Sequence, residues 1–277
     1  LYGVYSRLDY IKSLGVDAIW FSPLYPSPNF DYGYDVSDYR AINPEFGDME
    51  IFRRVLDGAH ERGMKVIMDL VVNHSSTQHE WFRLSADKDD PHHDYYFRRP
   101  PRRGRDGSRK PPNNWDSFFG GEAWEYDEKS GEYYLHIFAK QQADLNHDNP
   151  AVRREVADII RFWCGMGVDG FRADAVVYIS KPKGLPDEFP KRLAFNGLRK
   201  YVNGPNLHEY LRFYHNALDG YGGIMIGEAD WLKAEDALSF IDEGSLEMLI
   251  TFDHMRADSG GRIPLRRGFS VKRFKRA

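Results

Sequence analysis

Arg172 and Asp174 stand two residues apart in an otherwise apolar run, "VDGFRADAV" at 168–176. If that run is a strand, alternation turns Gly170, Arg172 and Asp174 to one face and Phe171 and Ala173 to the other. A guanidinium beside a carboxylate favours its ionised form and fixes its orientation, which suits a nucleophile or an electrostatic stabiliser. The competing reading is a buried ion pair with no chemical role. Two further apolar runs end in ionisable groups: "IMIGEAD" in Glu228, and "VIMDLVVNH" in Asp69, Asn73 and His74. A carboxylic acid packed near a second carboxylate has its pKa raised and can serve as a general acid. Two carboxylates with divided roles are the minimum equipment for cleaving a glycosidic bond.

Presenting such groups at successive strand ends needs a repeating scaffold, and the hydrophobic pattern supplies one. Val4, Leu8 and Ile11 keep helical spacing, and "VDAIWFSP" at 16–23 then reads as a buried strand. Phe52, Val55, Leu56 and Ala59 make one helix face that stops near Gly63, followed by the strand "MKVIMDLVV". Asn149 and Pro150 form an N-cap and first turn, opening a helix with Val152, Val156, Ile159, Ile160 and Trp163 inward ahead of "VDGFRADAV". "LHEYLRFYHNALDG" leads into "GGIMIGEAD", and a weaker pair joins "AEDALSFI" to "LEMLITFDH". The alternation predicts an α/β protein with a parallel sheet, either doubly wound or a closed (β/α) barrel.

The segment 75–148 breaks this rhythm with Pro, Gly, Asn, Arg and aromatic residues, and reads as an inserted subdomain. Inside it, "EAWEYDEKSGEYYLHIF" predicts a hairpin turning at Lys129, Ser130 and Gly131. The basic runs at 98–112 and 266–277 read as solvated segments, since no nucleic-acid motif frames them. Cys164, the single cysteine, excludes an intramolecular disulfide and reads as a core residue. With 42% apolar residues the chain of 277 can bury a core, and a net charge of −4 gives no pull toward nucleic acid or anionic membrane. No apolar run is long enough to span a bilayer, and without a secretory or lipidation signal a cytoplasmic location is the default expectation. Aromatic residues make up 15% of the chain and crowd "SPLYPSPNFDYGYDVSDY", where ring faces can stack on sugars.

These residues carry a resemblance. "DYGYDVSDY", "DLVVNH", "GFRADAV" and "GEAD", in that order, with "PPNNWDSFFGG" and "QADLN" between them, resemble the catalytic domain of the α-amylase superfamily of glycoside hydrolases, in its oligo-1,6-glucosidase and maltase-like α-glucosidase group. The resemblance implies an incomplete (β/α)8 TIM-type barrel, about strands two to six, with a subdomain inserted after the third barrel strand. Residues 1–74 would be the first part of the barrel, 75–148 the insertion and 149–277 the second part. It implies Asp174 as nucleophile, Glu228 as acid and base, and Arg172 as the arginine that orients the nucleophile. His74 and Asp69 would contact the sugar at the cleavage subsite. Asp31 would grip the terminal glucose, with Tyr34 stacked beneath its ring.

The implied activity is retaining, exo-acting hydrolysis of α-linked glucose from oligosaccharides. Relatives that transfer or isomerise sugars share the same covalent intermediate and stand as alternatives, beside non-enzymatic transporter subunits that have lost the catalytic residues. Ala175, where α-1,6-specific members carry valine, points to α-1,4 linkages. The sequence departs from the family pattern in three ways. After Glu228 the only neighbouring His and Asp are reversed, in "FDH" at 252–254, so the third catalytic carboxylate has no counterpart. The acidic loop that often binds Ca²⁺ or Mg²⁺ is not among the matched motifs, so no metal or cofactor is expected. "QADLN" has Ala143 where the oligo-1,6-glucosidase group has proline. The resemblance therefore reads the chain as an internal stretch of a longer enzyme.

Overall fold

The computed structural model describes residues 1–191, 195–232, 234–242, 244–256 and 270–275. Five strands form one sheet in the order Ala18–Phe21, Lys65–Leu70, Gly170–Ala173, Ile224–Ala229 and Met248–Thr251. Every neighbouring pair is parallel. Each crossover leads to the adjacent strand, which is the winding of a (β/α) barrel; a doubly wound sheet would reverse its order. The sheet is an incomplete barrel.

The helices behind the sheet follow their apolar spacing. Met49–Glu61 starts where the Asp48 carboxylate accepts from Ile51 N at 2.9 Å, and it buries Phe52, Val55, Leu56 and Ala59. Pro150–Gly165 is capped by Asn149, whose side chain accepts from Ala151 N at 2.9 Å. Its inward residue Trp163 meets the rings of Phe52 and Tyr25 edge-on at 5.4 and 5.8 Å and donates from Nε1 to Tyr39 O at 2.8 Å. That side chain pins two crossovers together, and truncating it to alanine would cost about 3 to 5 kcal/mol.

Two sequence expectations need correction here. The first helix is two short ones, Tyr2–Tyr5 and Leu8–Ser13, in which Leu8 is the only fully buried residue. Ser6 Oγ bonds back to Gly3 O at 3.0 Å, and so little apolar burial does not sustain a continuous helix. The strand Ala18–Phe21 is not buried: among the described residues it pairs on one side only, and Trp20 remains 48% exposed.

Residues 75–148 add no strand to the five-stranded sheet. The predicted hairpin is present as Trp124–Asp127 paired antiparallel with Glu132–Leu135. Gln142–Asp144 returns antiparallel to His74–Ser76, so the far end of this segment lies against its beginning. The basic run is solvated except at Arg98. That guanidinium is buried, pairs with Asp127 at 2.8 Å, donates to Ser130 Oγ at 2.8 Å and lies 4.8 Å over the Phe82 ring. The basic tail at 266–277 falls largely outside the described residues. Cys164 is buried and its thiol is pushed up to about 11, first by burial, as an inert core residue requires. Among the described residues no helix is long and apolar enough to cross a membrane.

Candidate active site

Register gathers the ionisable groups. Arg172 is the Cα partner of Asp69 on one side and of Ile226 on the other. Glu228, two residues beyond Ile226, therefore shares its face and lies level with Asp174. Gly170 permits the tight approach at the base of this pairing, since a Cβ there would overlap the Ile224 backbone. Asp174 follows the last strand residue, anchored by its N–H to Leu70 O at 3.0 Å. Ala175 then takes a left-handed conformation, φ 50° and ψ 38°, and the chain turns into a short 3₁₀ segment, Val176–Tyr178.

Arg172 is the hub. Its Nη1 donates to Asp69 Oδ1 at 2.8 Å and Oδ2 at 3.1 Å, and to Asp174 Oδ1 at 2.6 Å. Its Nη2 pairs with Glu228 Oε2. The Trp20 ring faces the guanidinium at 5.3 Å and the Tyr34 ring at 5.9 Å. One cation thus meets three carboxylates, and at two of them burial is the largest influence. Burial pushes Asp69 up to about 7, with Arg172 opposing and Asp174 adding to the rise. Burial also raises Asp174, against the pull of Arg172 and His74. The sequence reading let the arginine dominate at Asp174 and left Glu228 beside a carboxylate alone. In the folded chain desolvation outweighs the arginine, and Glu228 is itself an arginine partner.

The loop carrying Asp31 and Tyr34 is ordered by Asp35, a fully buried carboxylate that accepts from Asp31 N at 3.1 Å, Phe30 N at 3.2 Å and Ser27 Oγ at 2.8 Å. Tyr34 OH donates to Asp69 Oδ2 at 3.3 Å, and burial beside Asp69 pushes the phenol up to about 12. His74 is buried, which lowers its pKa, and its Nε2 lies 3.0 Å from the Tyr34 carbonyl. Gln142 donates from Nε2 to Asp31 Oδ2 at 2.9 Å, with the same nitrogen 2.9 Å from His74 Nε2.

These groups open on a cavity of about 400 Å³. Asp31, Tyr34, His74, Arg172, Asp174 and Glu228 line it, together with Phe118, Phe119, Phe138, Ala175, Tyr178 and Asp230. Six of the seven residues singled out from the sequence therefore share one cavity. Asp69 does not reach it. Its side chain is fully buried under Arg172, so it holds the guanidinium in place of the direct sugar contact the resemblance implied. Sequence reasoning passed over Gln142 and the three phenylalanines. Gln142 lies in "QADLN", Phe118 and Phe119 in "SFFGG" and Phe138 at the end of the predicted hairpin, but only the antiparallel return of Gln142–Asp144 brings Gln142 beside His74. Among the described residues no group of three or more His, Cys, Asp or Glu side chains is placed to hold a metal ion.

Comparison with known proteins shows the family. The family described as "Alpha amylase, catalytic domain" matches residues 1–268. The chain is 48% identical over 265 residues to an oligo-1,6-glucosidase of Parageobacillus thermoglucosidasius, covering 93% of this chain and 46% of that protein. It is 44% identical over 268 residues to an alpha-glucosidase of Schizosaccharomyces pombe, covering 93% and 46%. Among solved structures, an isomaltulose synthase from Erwinia rhapontici NX5 superposes with a TM-score of 0.92 at 42% identity, covering 99% of this chain and 49% of that one. The chain spans about half the length of the curated relatives it matches.

Proposed function

The chain belongs to the alpha-amylase catalytic-domain family, and on that premise we propose that its site serves a retaining, exo-acting α-glucosidase. What carries the reading is one observation: Asp174 and Glu228, from neighbouring strands, contact the two terminal nitrogens of Arg172 at the cavity wall. Carboxyl groups so tethered favour the short spacing of retaining glycosidases, about 5 to 5.5 Å, over the wider one of inverting enzymes.

In this mechanism Asp174 attacks the anomeric carbon while Glu228 gives its proton to the departing glycosidic oxygen. The resulting glycosyl ester is then opened by water that Glu228 deprotonates, with net retention. Arg172 holds both carboxylates in register and partly offsets their charge. Asp31, fixed by Gln142, accepts from hydroxyls of the terminal glucose, and Tyr34 offers its ring beneath it. The phenylalanines exclude water around the developing positive charge. Ala175 at the wall leaves room beside the scissile bond, which supports α-1,4 over α-1,6 linkages.

The test is hydrolysis of p-nitrophenyl α-glucoside and of maltose, with the anomer of the released glucose followed by proton NMR. Initial release of α-glucose supports the reading. Initial β-glucose refutes retention, and binding without turnover in the full reading frame refutes the enzyme.

A further inference from the structure

Lys181 is wholly buried, six residues after Ala175, and so is Asp144, its ion-pair partner at 2.6 Å. Its ammonium also donates to Asn73 Oδ1 at 3.0 Å. An ammonium offers only hydrogens, so the Asn73 oxygen must face it and the amide nitrogen must face away. That nitrogen lies 3.2 Å from His74 Nδ1, which is therefore an acceptor. A neutral imidazole that accepts at Nδ1 carries its proton on Nε2. His74 Nε2 then donates to the Tyr34 carbonyl at 3.0 Å. Every bond from Lys181 to Tyr34 runs in the same donor-to-acceptor sense.

The opposite tautomer has its own partner. With Nε2 bare, His74 would accept from Gln142 Nε2, 2.9 Å away, and the Tyr34 carbonyl would lose its donor. Asn73 would then have to turn its oxygen to the ring and away from the ammonium. We propose that Lys181 is a positioning residue that, through Asn73, locks His74 in the Nε2–H tautomer and so ties the Tyr34 segment to the cavity wall. Neither Lys181 nor Asn73 lines the cavity, so the effect reaches substrate through His74 and Tyr34. The consequence for terminal glucose binding rests on the α-glucosidase reading; the tautomer does not.

The experiment is ¹⁵N NMR of the whole chain labelled at histidine, with the His74 signals assigned by their loss in His74→Gln. The wild type should show the proton on Nε2. Asn73→Asp presents oxygen to both neighbours and should move the proton to Nδ1. Lys181→Met combined with Asp144→Asn, which leaves no unpaired buried charge, should abolish the exclusive Nε2–H signature. A wild type protonated at Nδ1, or either variant folded by near-ultraviolet circular dichroism with the tautomer unchanged, overturns the relay. Calorimetry with 1-deoxynojirimycin, a glucose-configured iminosugar, supplies the functional arm. Asn73→Asp should bind it about tenfold more weakly, the scale of one lost hydrogen bond. Equal affinity overturns the link to glucose binding, while a wild type that does not bind overturns the glucosidase reading and leaves the relay to the NMR result.

Discussion

Asp69 and Asp174 share one nitrogen of Arg172: Nη1 lies 2.8 Å from Asp69 Oδ1 and 2.6 Å from Asp174 Oδ1. Two buried carboxylates on one donor cannot both be ionised without cost, and that cost is visible in stability as a function of pH. Asp69 is raised to about 7 in the folded chain from an ordinary 3.8, so the folded state binds the proton more tightly. The stability this confers is present below pH 4 and is lost as pH rises through 7. Asp69→Asn mimics the protonated form and should gain in melting temperature relative to wild type between pH 5 and pH 8. An equal difference at both pH values would show that Asp69 carries no such proton.

In the proposed mechanism Asp174→Asn removes the attacking group, and in any case it removes one of the charges competing for Arg172. Activity on p-nitrophenyl α-glucoside should fall on the order of 10⁴-fold or more. Because burial disfavours the Asp174 anion, the variant should also melt above wild type at pH 8. Retained turnover would remove Asp174 from the nucleophile's role, whatever the melting curve does.

Ala175 combines a left-handed backbone with a place on the cavity wall. Glycine there should stabilise the chain by about 1 kcal/mol, because it adopts that conformation without a Cβ penalty. Valine should destabilise and, by filling the wall, lower the ratio of maltose to isomaltose hydrolysis. Specificity constants for the two disaccharides in Ala175→Val decide the matter, and an unchanged ratio would leave linkage preference to other residues.

Gln142→Glu keeps an acceptor for Ala139 N, bonded to Gln142 Oε1 at 3.0 Å, but sets a carboxylate against Asp31. The terminal-glucose grip should loosen, raising KM for maltose about tenfold. A purely structural residue would instead lower the melting temperature and leave KM where it was.

Helix faces and caps were legible because each follows from local spacing: Phe52, Val55 and Leu56 are buried as their period requires, and Asn149 caps as its position requires. Strand order was not, since the alternation fits a doubly wound sheet as well as a barrel, and only the resemblance pointed to the barrel. Arg172 and Asp174 were legible as a same-face pair for the same reason. The protonation of that pair was not, since it depends on Asp69 arriving from another strand and on how much water the fold excludes. The exposure of Trp20 was equally hidden, because a run of apolar residues does not say whether a strand has one neighbour or two. Arg98 looked like the rest of its basic run, and only the hairpin that delivers Asp127 distinguishes it.

The bonds that assemble the site also span long stretches of chain. Arg172 and Asp69 are separated by 103 residues, and Gln142 and Asp31 by 111. Contacts of such separation bear loop-closure entropy before they return any energy, so they form late and slowly. Helices such as Met49–Glu61 and the hairpin at 124–135 can appear early from local contacts. The cavity has to wait until the whole 75–148 segment has folded back onto His74. In a refolding time course, iminosugar binding should therefore lag behind the recovery of helical circular dichroism, and the interval between them measures how long the chain is folded in outline yet has no site.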